Sequence, residues 1–238
     1  MESQHARTEA LLGKEGLLRL KGARVAVFGV GGVGGFAVEA LARSGVGKID
    51  LIDADRVSIT NINRQIIATH KTLGEYKTEA MKNRIAEIDE SIEVRTFNLF
   101  FDKDSLHLFD FSEYDYVIDA IDSVRSKIEL IVAARSVGVP VICSGGAGNK
   151  LDPTAFTVAD ISKTEVCPLC RAVRVELKKR GVKGVKAVFS KEPSREGALT
   201  EDGQRVPASI AFVPSVVGLI IAGEVIKDIA FGADKSKG

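Results

Sequence analysis

Cysteine is scarce, charge is balanced, and no long apolar run is present. Three cysteines in 238 residues are too few for a disulfide framework and point to a reducing compartment. Lys and Arg number 33 against 32 Asp and Glu. No global field therefore attracts an anionic partner, and a local patch must meet one. The three histidines, His5, His70 and His107, are scattered, and none falls in a motif. The most apolar stretch, 210–221, contains Pro214 and is closed by Glu224, Lys227 and Asp228. It is shorter than the roughly 20 residues of a membrane span and reads as a core or interface helix. The opening MESQHARTEA has no apolar core, which predicts no signal peptide. The expectation is a cytoplasmic protein without a membrane span, with peripheral membrane association left open. Internal repeats and low-complexity segments are absent.

What is present centres on VAVFGVGGVGG, residues 25–35. The apolar run 25–28 predicts a buried strand, and a helical pattern follows from Phe36 to Arg43. Strand, glycine turn and helix are the context in which G-x-G-x-x-G binds phosphates. Gly29, Gly31 and Gly32 allow a tight turn and close backbone approach to a ligand. Gly34 lets the helix pack near the strand, and the helix N-terminus offers N–H groups and a positive dipole end. A second predicted strand, 49–53, ends in Asp53. That carboxylate lies about 20 residues past the glycines, where such folds bind ribose hydroxyls.

The next segment departs from a plain NAD site. Thr60-Asn61-Ile62-Asn63-Arg64-Gln65 and Gly74-Glu75-Tyr76-Lys77 form a polar, basic cluster. Arg64 offers a planar fork to phosphate oxygens. Lys77 opens a predicted helix over 78–88 and brings a point charge, while Asn61 can hold a ribose or phosphate oxygen. Further strands are predicted at 92–97, 114–120 and 139–143. Asp119 and Asp122 fall at the carboxyl end of the second of these. Asp122 is the candidate magnesium ligand, since Mg²⁺ takes carboxylate and phosphate oxygens and keeps waters; it could instead cap the helix predicted over 124–137. Gly145-Gly146-Ala147-Gly148 lets a backbone approach a ligand or simply turns the chain. An edge strand is predicted at 155–160.

Residues 163–191 hold nine Lys or Arg against two acids. Arg171, Arg174, Lys178, Lys179, Arg180, Lys183 and Lys186 are candidates to meet a nucleic-acid backbone; a solvated helix face is the alternative. Residues 191–207 read as a mobile loop near the site, and 209–231 as a closing apolar helix. Cys167-Pro168-Leu169-Cys170 invites a zinc reading, but structural zinc takes four ligands and only Cys143 remains. Zinc is therefore not expected, and a reactive thiol or redox pair stays open. Arg7, beside a predicted amphipathic helix over 6–20, reads by itself as a solvated arginine. The whole is expected to be α/β, a Rossmann-like, mainly parallel sheet flanked by helices with an antiparallel C-terminal extension. One domain is expected: an N-terminal helix (1–22), a nucleotide-binding core (23–150) and a substrate-side extension (151–238).

GVGGVGG, LIDAD, TNINRQ, GEYK and VIDAID together resemble the superfamily of ThiF/MoeB-type and ubiquitin-activating adenylating enzymes. Within it, ARTEALLGKEGL, YDYVIDAIDSVRSK, ICSGGAGNKLDPTAF, ADISKT and ELKKRGVKGVKAVFSKE resemble the tRNA threonylcarbamoyladenosine dehydratases. The resemblance implies ATP on Gly29–Gly34 with Asp53 on the ribose. It places Asn61, Arg64 and Lys77 near the phosphates, Gln65 among the nucleotide-binding residues and Mg²⁺ on Asp122. It implies a tRNA substrate and a homodimer in which Arg7 reaches the partner's ATP. The implied reaction is ATP-dependent cyclisation, a dehydration, through an acyl-adenylate of the threonyl carboxylate. Some members work with a sulfur-relay or cysteine desulfurase partner, and that partner stays open here. The alternative within the superfamily adenylates the C-terminal Gly of a ubiquitin-like sulfur carrier; the basic stretch and the absent second C-x-x-C argue against it. An NAD-dependent oxidoreductase would explain the glycines and Asp53 but not Arg64, Lys77 or Asp122. A tRNA-binding module without turnover would not need those three residues.

Overall fold

The computed structural model describes residues 3–199 and 205–232. Its frame is a seven-stranded sheet in the order β3-β2-β1-β4-β5-β7-β6. These strands are β1 (Arg24–Phe28), β2 (Lys48–Ile52), β3 (Glu93–Phe97), β4 (Tyr116–Asp119), β5 (Val141–Ser144), β6 (Phe156–Asp160) and β7 (Lys186–Ser190). All neighbours run parallel except β6 on β7. Val25 to Phe28 are fully buried, as a strand covered on both faces requires.

Helices cover both faces: α1 (Ala6–Gly22), α2 (Gly34–Ser44), α3 (Lys77–Ile88), α4 (Val124–Ser136), α5 (Pro168–Lys179) and α6 (Phe212–Phe231). One core packs α2, α3 and α6 on the sheet; the other packs α4 and α5. A short antiparallel pair, β8 (Ala198–Leu199) and β9 (Arg205–Val206), lies apart from the main sheet. Within the stretch predicted as a mobile loop, residues 200–204 lie outside the described residues.

The local chemistry explains the boundaries. α2 ends at Gly45, whose φ of 90° is the left-handed cap that glycine adopts without strain. α4 is capped by the Ser123 hydroxyl, which accepts the Ser126 N–H at 3.4 Å, so the cap is Ser123 and not Asp122. α1 is interrupted at Gly13, with φ 75° and ψ 162°, where the single predicted helix is in fact two. α6 is a core helix: Val213, Val217, Ile221, Ala222 and Val225 are buried. Gly218 lets it approach α2 closely; a Cβ there would lie 2.3 Å from the Val33 carbonyl oxygen. Among the described residues no helix is long and apolar enough to cross a membrane.

Two elements lie inside the stretch read only as basic. α5 buries Cys170, Val173 and Leu177, the spacing of one helical face. β7 buries Ala187, Val188 and Phe189 and pairs with both β5 and β6. It is an interior strand whose three-residue apolar run sits among lysines.

Candidate active site at the carboxyl edge of the sheet

The strand order reverses at β1, which lies between β2 and β4. In open α/β sheets that reversal opens a crevice at the carboxyl ends of the strands. A cavity of about 750 Å³ lies there, within the size range of small-molecule sites. Gly29, Gly31, Gly32, Asp53, Asn61, Arg64, Gln65, Lys77 and Asp122 all line it. These residues span almost a hundred positions, and the topology brings them together.

Gly29 has φ 91°, and a Cβ there would lie 2.7 Å from the Ala120 carbonyl oxygen. Gly34 does not line the cavity; its missing Cβ would lie 1.8 Å from the Gly29 carbonyl oxygen. It acts on packing, as the motif predicts. Gly31 is the open one, with only the Gln65 amide 3.8 Å from where a Cβ would stand.

Asp53 follows directly after β2. Its Oδ2 accepts the Val30 N–H at 2.7 Å and its Oδ1 accepts the Asp55 N–H at 2.8 Å. Each oxygen keeps a lone pair for a ligand hydroxyl. Burial pushes the Asp53 carboxyl up from its ordinary value, with Lys77 and the two N–H groups pulling the other way. Asn61 is buried, and its Oδ1 accepts the Ser58 N–H at 3.0 Å. That bond leaves the Asn61 amide nitrogen as its free donor. Gln65 is also buried, and its Oε1 has no partner among the described residues. A buried amide oxygen without a donor is costly, and here it sits on a ligand-sized cavity.

Arg64 donates to the Thr60 carbonyl and to the Asn63 side chain, each at 2.9 Å. Both acceptors are neutral, so they leave its charge uncancelled. Lys77 begins α3 and is 5% exposed. Its ammonium donates to the Asp55 carboxylate at 2.6 Å. Asp55 is an addition that the motif reading lacked. It stands two residues past Asp53, and nothing in its local pattern marks it as the partner of Lys77. The pair holds the lysine ready, and an anionic ligand would compete with Asp55 for it.

Asp122 is exposed on the loop after β4. Asp119 is different: it is fully buried, and its Oδ1 accepts Lys127 Nζ at 2.9 Å. Burial pushes the Asp119 carboxyl up, and Lys127 pulls it back. Asp119 does not line the cavity, and its Oδ2 has no partner among the described residues. Among the described residues no group of three His, Cys, Asp or Glu side chains converges. Of the three carboxylates that line the cavity, Asp53 accepts two backbone N–H groups and Asp55 is paired with Lys77, so a cation at Asp122 would take its other oxygens from a phosphate ligand and water. That donor set is the one Mg²⁺ accepts on nucleotides.

The remaining walls come from segments of mixed legibility. Gly145, Gly146 and Gly148 line the cavity as their spacing suggests, whereas Leu99 to Phe101, Pro207, Ser209 and Pro214 carry no motif. The Leu99–Phe101 wall is anchored below by Phe28, whose ring stacks edge-on to Phe101 at 4.8 Å. Arg7 lies on the exposed side of α1, outside the cavity lining.

The basic candidates divide. Arg171, Lys178 and Lys183 are exposed. Arg174 donates to the Thr164 hydroxyl at 2.7 Å. Lys179 pairs with Glu176 at 2.6 Å and Arg180 with Glu129 at 3.1 Å. Lys186 meets Asp228 at 2.7 Å and Glu224 at 3.1 Å. Several of the positive charges are therefore balanced within the chain.

The ThiF family profile matches residues 3–236. The chain belongs to the ThiF family. This ThiF-family chain is 46% identical over 242 residues to the tRNA threonylcarbamoyladenosine dehydratase of Bacillus subtilis, covering 96% of this chain and 95% of that protein. The solved structure of E. coli tRNA N6-threonylcarbamoyladenosine dehydratase in complex with ATP superposes with a TM-score of 0.88 at 36% identity. The AMP complex of the same protein gives 0.89 at 37%. Each covers 98% of this chain and 96% of the other. The family assignment and the Rossmann-like fold thus agree with the motifs that first suggested them.

Proposed function

We propose that this chain is a tRNA threonylcarbamoyladenosine dehydratase: it adenylates the threonyl carboxylate on the modified adenosine and closes a ring with loss of water. The observation that carries this reading is one cavity lined by Gly31, Asp53, Arg64, Lys77 and Asp122 in a chain with full-length relatives of that name. A nucleotide fits the donors and acceptors present. Asp53 would take the ribose hydroxyls, and the α2 N-terminus with Arg64 and Lys77 would take the phosphates.

The chemistry follows from those positions. A carboxylate is a poor electrophile because oxide is a poor leaving group. Attack of the carboxylate on the α-phosphate forms an acyl-adenylate and releases pyrophosphate, and AMP then leaves readily. Arg64 and Lys77 stabilise the charge that develops on the phosphate oxygens. Asp122 would hold Mg²⁺, which supplies further positive charge to the phosphates. A nitrogen of the same substrate side chain attacks the activated carbonyl. The reacting atoms are already joined, so a high effective concentration replaces a protein nucleophile.

In this reading the active unit is a homodimer, and Arg7 of one subunit reaches the cavity of the other. Supporting it, α1 exposes Leu11, at 82%, and Leu18, and α6 exposes Phe212 and Leu219, apolar side chains that a partner subunit would cover. Exposed Arg171, Lys178 and Lys183 would meet the tRNA backbone. A sulfur-relay partner would supply an atom that the cyclisation neither gains nor loses, so it has no part in the reaction.

The test is incubation with ATP, Mg²⁺ and tRNA bearing the uncyclised base, followed by mass analysis of the digested nucleosides. ATP-dependent loss of one water from that nucleoside is expected. An unchanged nucleoside, with ATP–pyrophosphate exchange that requires a ubiquitin-like sulfur carrier, would replace this reading with the carrier-adenylating one.

A further inference from the structure

The proposed reaction leaves Cys167 and Cys170 without a task. Cys167 is the N-cap of α5 and Cys170 lies in its first turn. Both are buried, at 4% and 2% exposure. A buried cysteine is usually an inert small hydrophobe, but the surroundings of this pair are polar and directional. The Gly146 N–H donates to Cys167 Sγ at 3.4 Å. Hydrogen bonding from Cys170 and from the backbone at Leu169 and Cys170 acts on that sulfur in the same direction. A neutral thiol has little need of such donors; a sulfur carrying negative charge does. The Cys170 hydrogen bond and the backbone N–H groups, working against burial, pull the Cys167 thiol down to about 5. The same bond, together with burial, pushes the Cys170 thiol far up. The two thiols are thus driven in opposite directions, Cys167 toward the thiolate and Cys170 toward the thiol, the division a dithiol pair uses.

The pair lies directly behind the cavity wall. Gly145, Gly146 and Leu169 line the cavity. A Cβ on Gly145 would lie 2.9 Å from Cys170 Sγ. The sulfurs therefore sit one backbone layer behind the site, within reach of a small oxidant and shielded from a bulky one. A disulfide needs Cα atoms about 4.4–6.8 Å apart, which residues three apart on a helical first turn meet. Cys143, on β5, is packed in the same core, and burial pushes its thiol up to about 12. It is the bystander.

We propose that Cys167 and Cys170 are a dithiol–disulfide pair behind the wall of the nucleotide cavity, oxidised by hydrogen peroxide, with Cys167 reacting first and Cys170 resolving. Cys167 sulfur attacks one peroxide oxygen. The O–O bond breaks, hydroxide leaves, and Cys167 becomes a sulfenic acid. Cys170 sulfur then attacks Cys167 sulfur, the S–O bond breaks, and the oxygen leaves as water with the Cys170 proton. The hydroxide takes up the proton that Cys167 had released. The two thiols lose two electrons, the peroxide gains them, and two waters form.

The experiment uses the full chain, reduced, freed of reductant and treated with hydrogen peroxide. It is then alkylated under denaturing conditions and read by intact mass and peptide mapping. The expected product has lost two hydrogens, carries a Cys167–Cys170 bond and alkylates only at Cys143; a dithiol reductant restores all three thiols. In C170S the reaction should stop at a sulfenic acid on Cys167 that dimedone traps, and in C167S no sulfenic acid should form at Cys170. Three alkylatable thiols after peroxide in the wild-type chain would overturn the proposal, as would a disulfide that includes Cys143. The readout needs no turnover, so it stands apart from the test of the cyclase reading, and the wild-type arm does not depend on any variant folding.

Discussion

Gly31 and Gly34 belong to one motif, yet alanine at each should fail in a different assay. At Gly34 the new Cβ would stand 1.8 Å from the Gly29 carbonyl oxygen and 3.3 Å from the Ala120 Cβ. The first obstacle is backbone, so no rotamer change relieves it, and α2 must move off β1. Overpacking of this kind costs about 3 kcal/mol. For a domain of this size each kcal/mol lowers the melting temperature by about 2–4 °C, so Gly34→Ala should melt roughly 6–12 °C below wild type. At Gly31 the nearest atom to the new Cβ is the Gln65 amide at 3.8 Å, an ordinary contact. Gly31→Ala should melt within about 2 °C of wild type. Its methyl enters the cavity where the backbone must approach the nucleotide, so ATP affinity should fall at least ~10-fold. Thermal melts and ATP titration by calorimetry on both variants decide the matter. A Gly34→Ala protein that melts with wild type and binds ATP normally would refute the assigned geometry. So would a Gly31→Ala protein with full affinity, which would remove the nucleotide from this turn.

Asp122→Ala should lower Mg²⁺-dependent ATP–pyrophosphate exchange by about 100-fold or more, with the melting temperature unchanged because the residue is exposed; near-normal exchange would sink the metal assignment. Arg7→Ala and Arg64→Ala should each be weakly active alone and regain activity when mixed, since a hybrid dimer keeps one complete site; no recovery would exclude an arginine acting between subunits. Lys127→Met leaves the buried Asp119 carboxylate unpaired and should cost about 3–5 kcal/mol, whereas adding Asp119→Asn should recover much of that loss in denaturant unfolding. Acid titration of the reduced protein should remove a thiolate ultraviolet absorbance with a midpoint at about 5, absent in Cys167→Ser. The sign follows from the lowered folded value: the charged Cys167 stabilises the fold above the ordinary thiol range, and that contribution is lost as pH falls toward 5. Proton uptake only in the ordinary thiol range would contradict the donor arrangement around that sulfur.

The residues legible in the sequence are those whose work is local. A glycine turn, an acid at a strand tip and a lysine opening a helix each need only a few neighbours to be recognised, and all of them reached one cavity. What escaped depends on distant partners. Lys127 looks like any surface lysine of α4, yet it is 1% exposed because Asp119 on β4 takes its charge. Lys186 counts as part of a basic patch until α6 brings Asp228 and Glu224 to it. β7 hid because three apolar residues among lysines do not make a strand until β5 and β6 lie on either side. The same logic bears on the site. Asp55 is exposed and polar, and only the fold turns it into the anion that holds Lys77. A lysine already paired and mostly desolvated is poised near its working position, so a phosphate need only displace Asp55. Phosphate carries more charge than one carboxylate, and that difference favours the exchange. The sequence motif marks Lys77 as the candidate cation, while the tertiary pair with Asp55 sets where that cation sits.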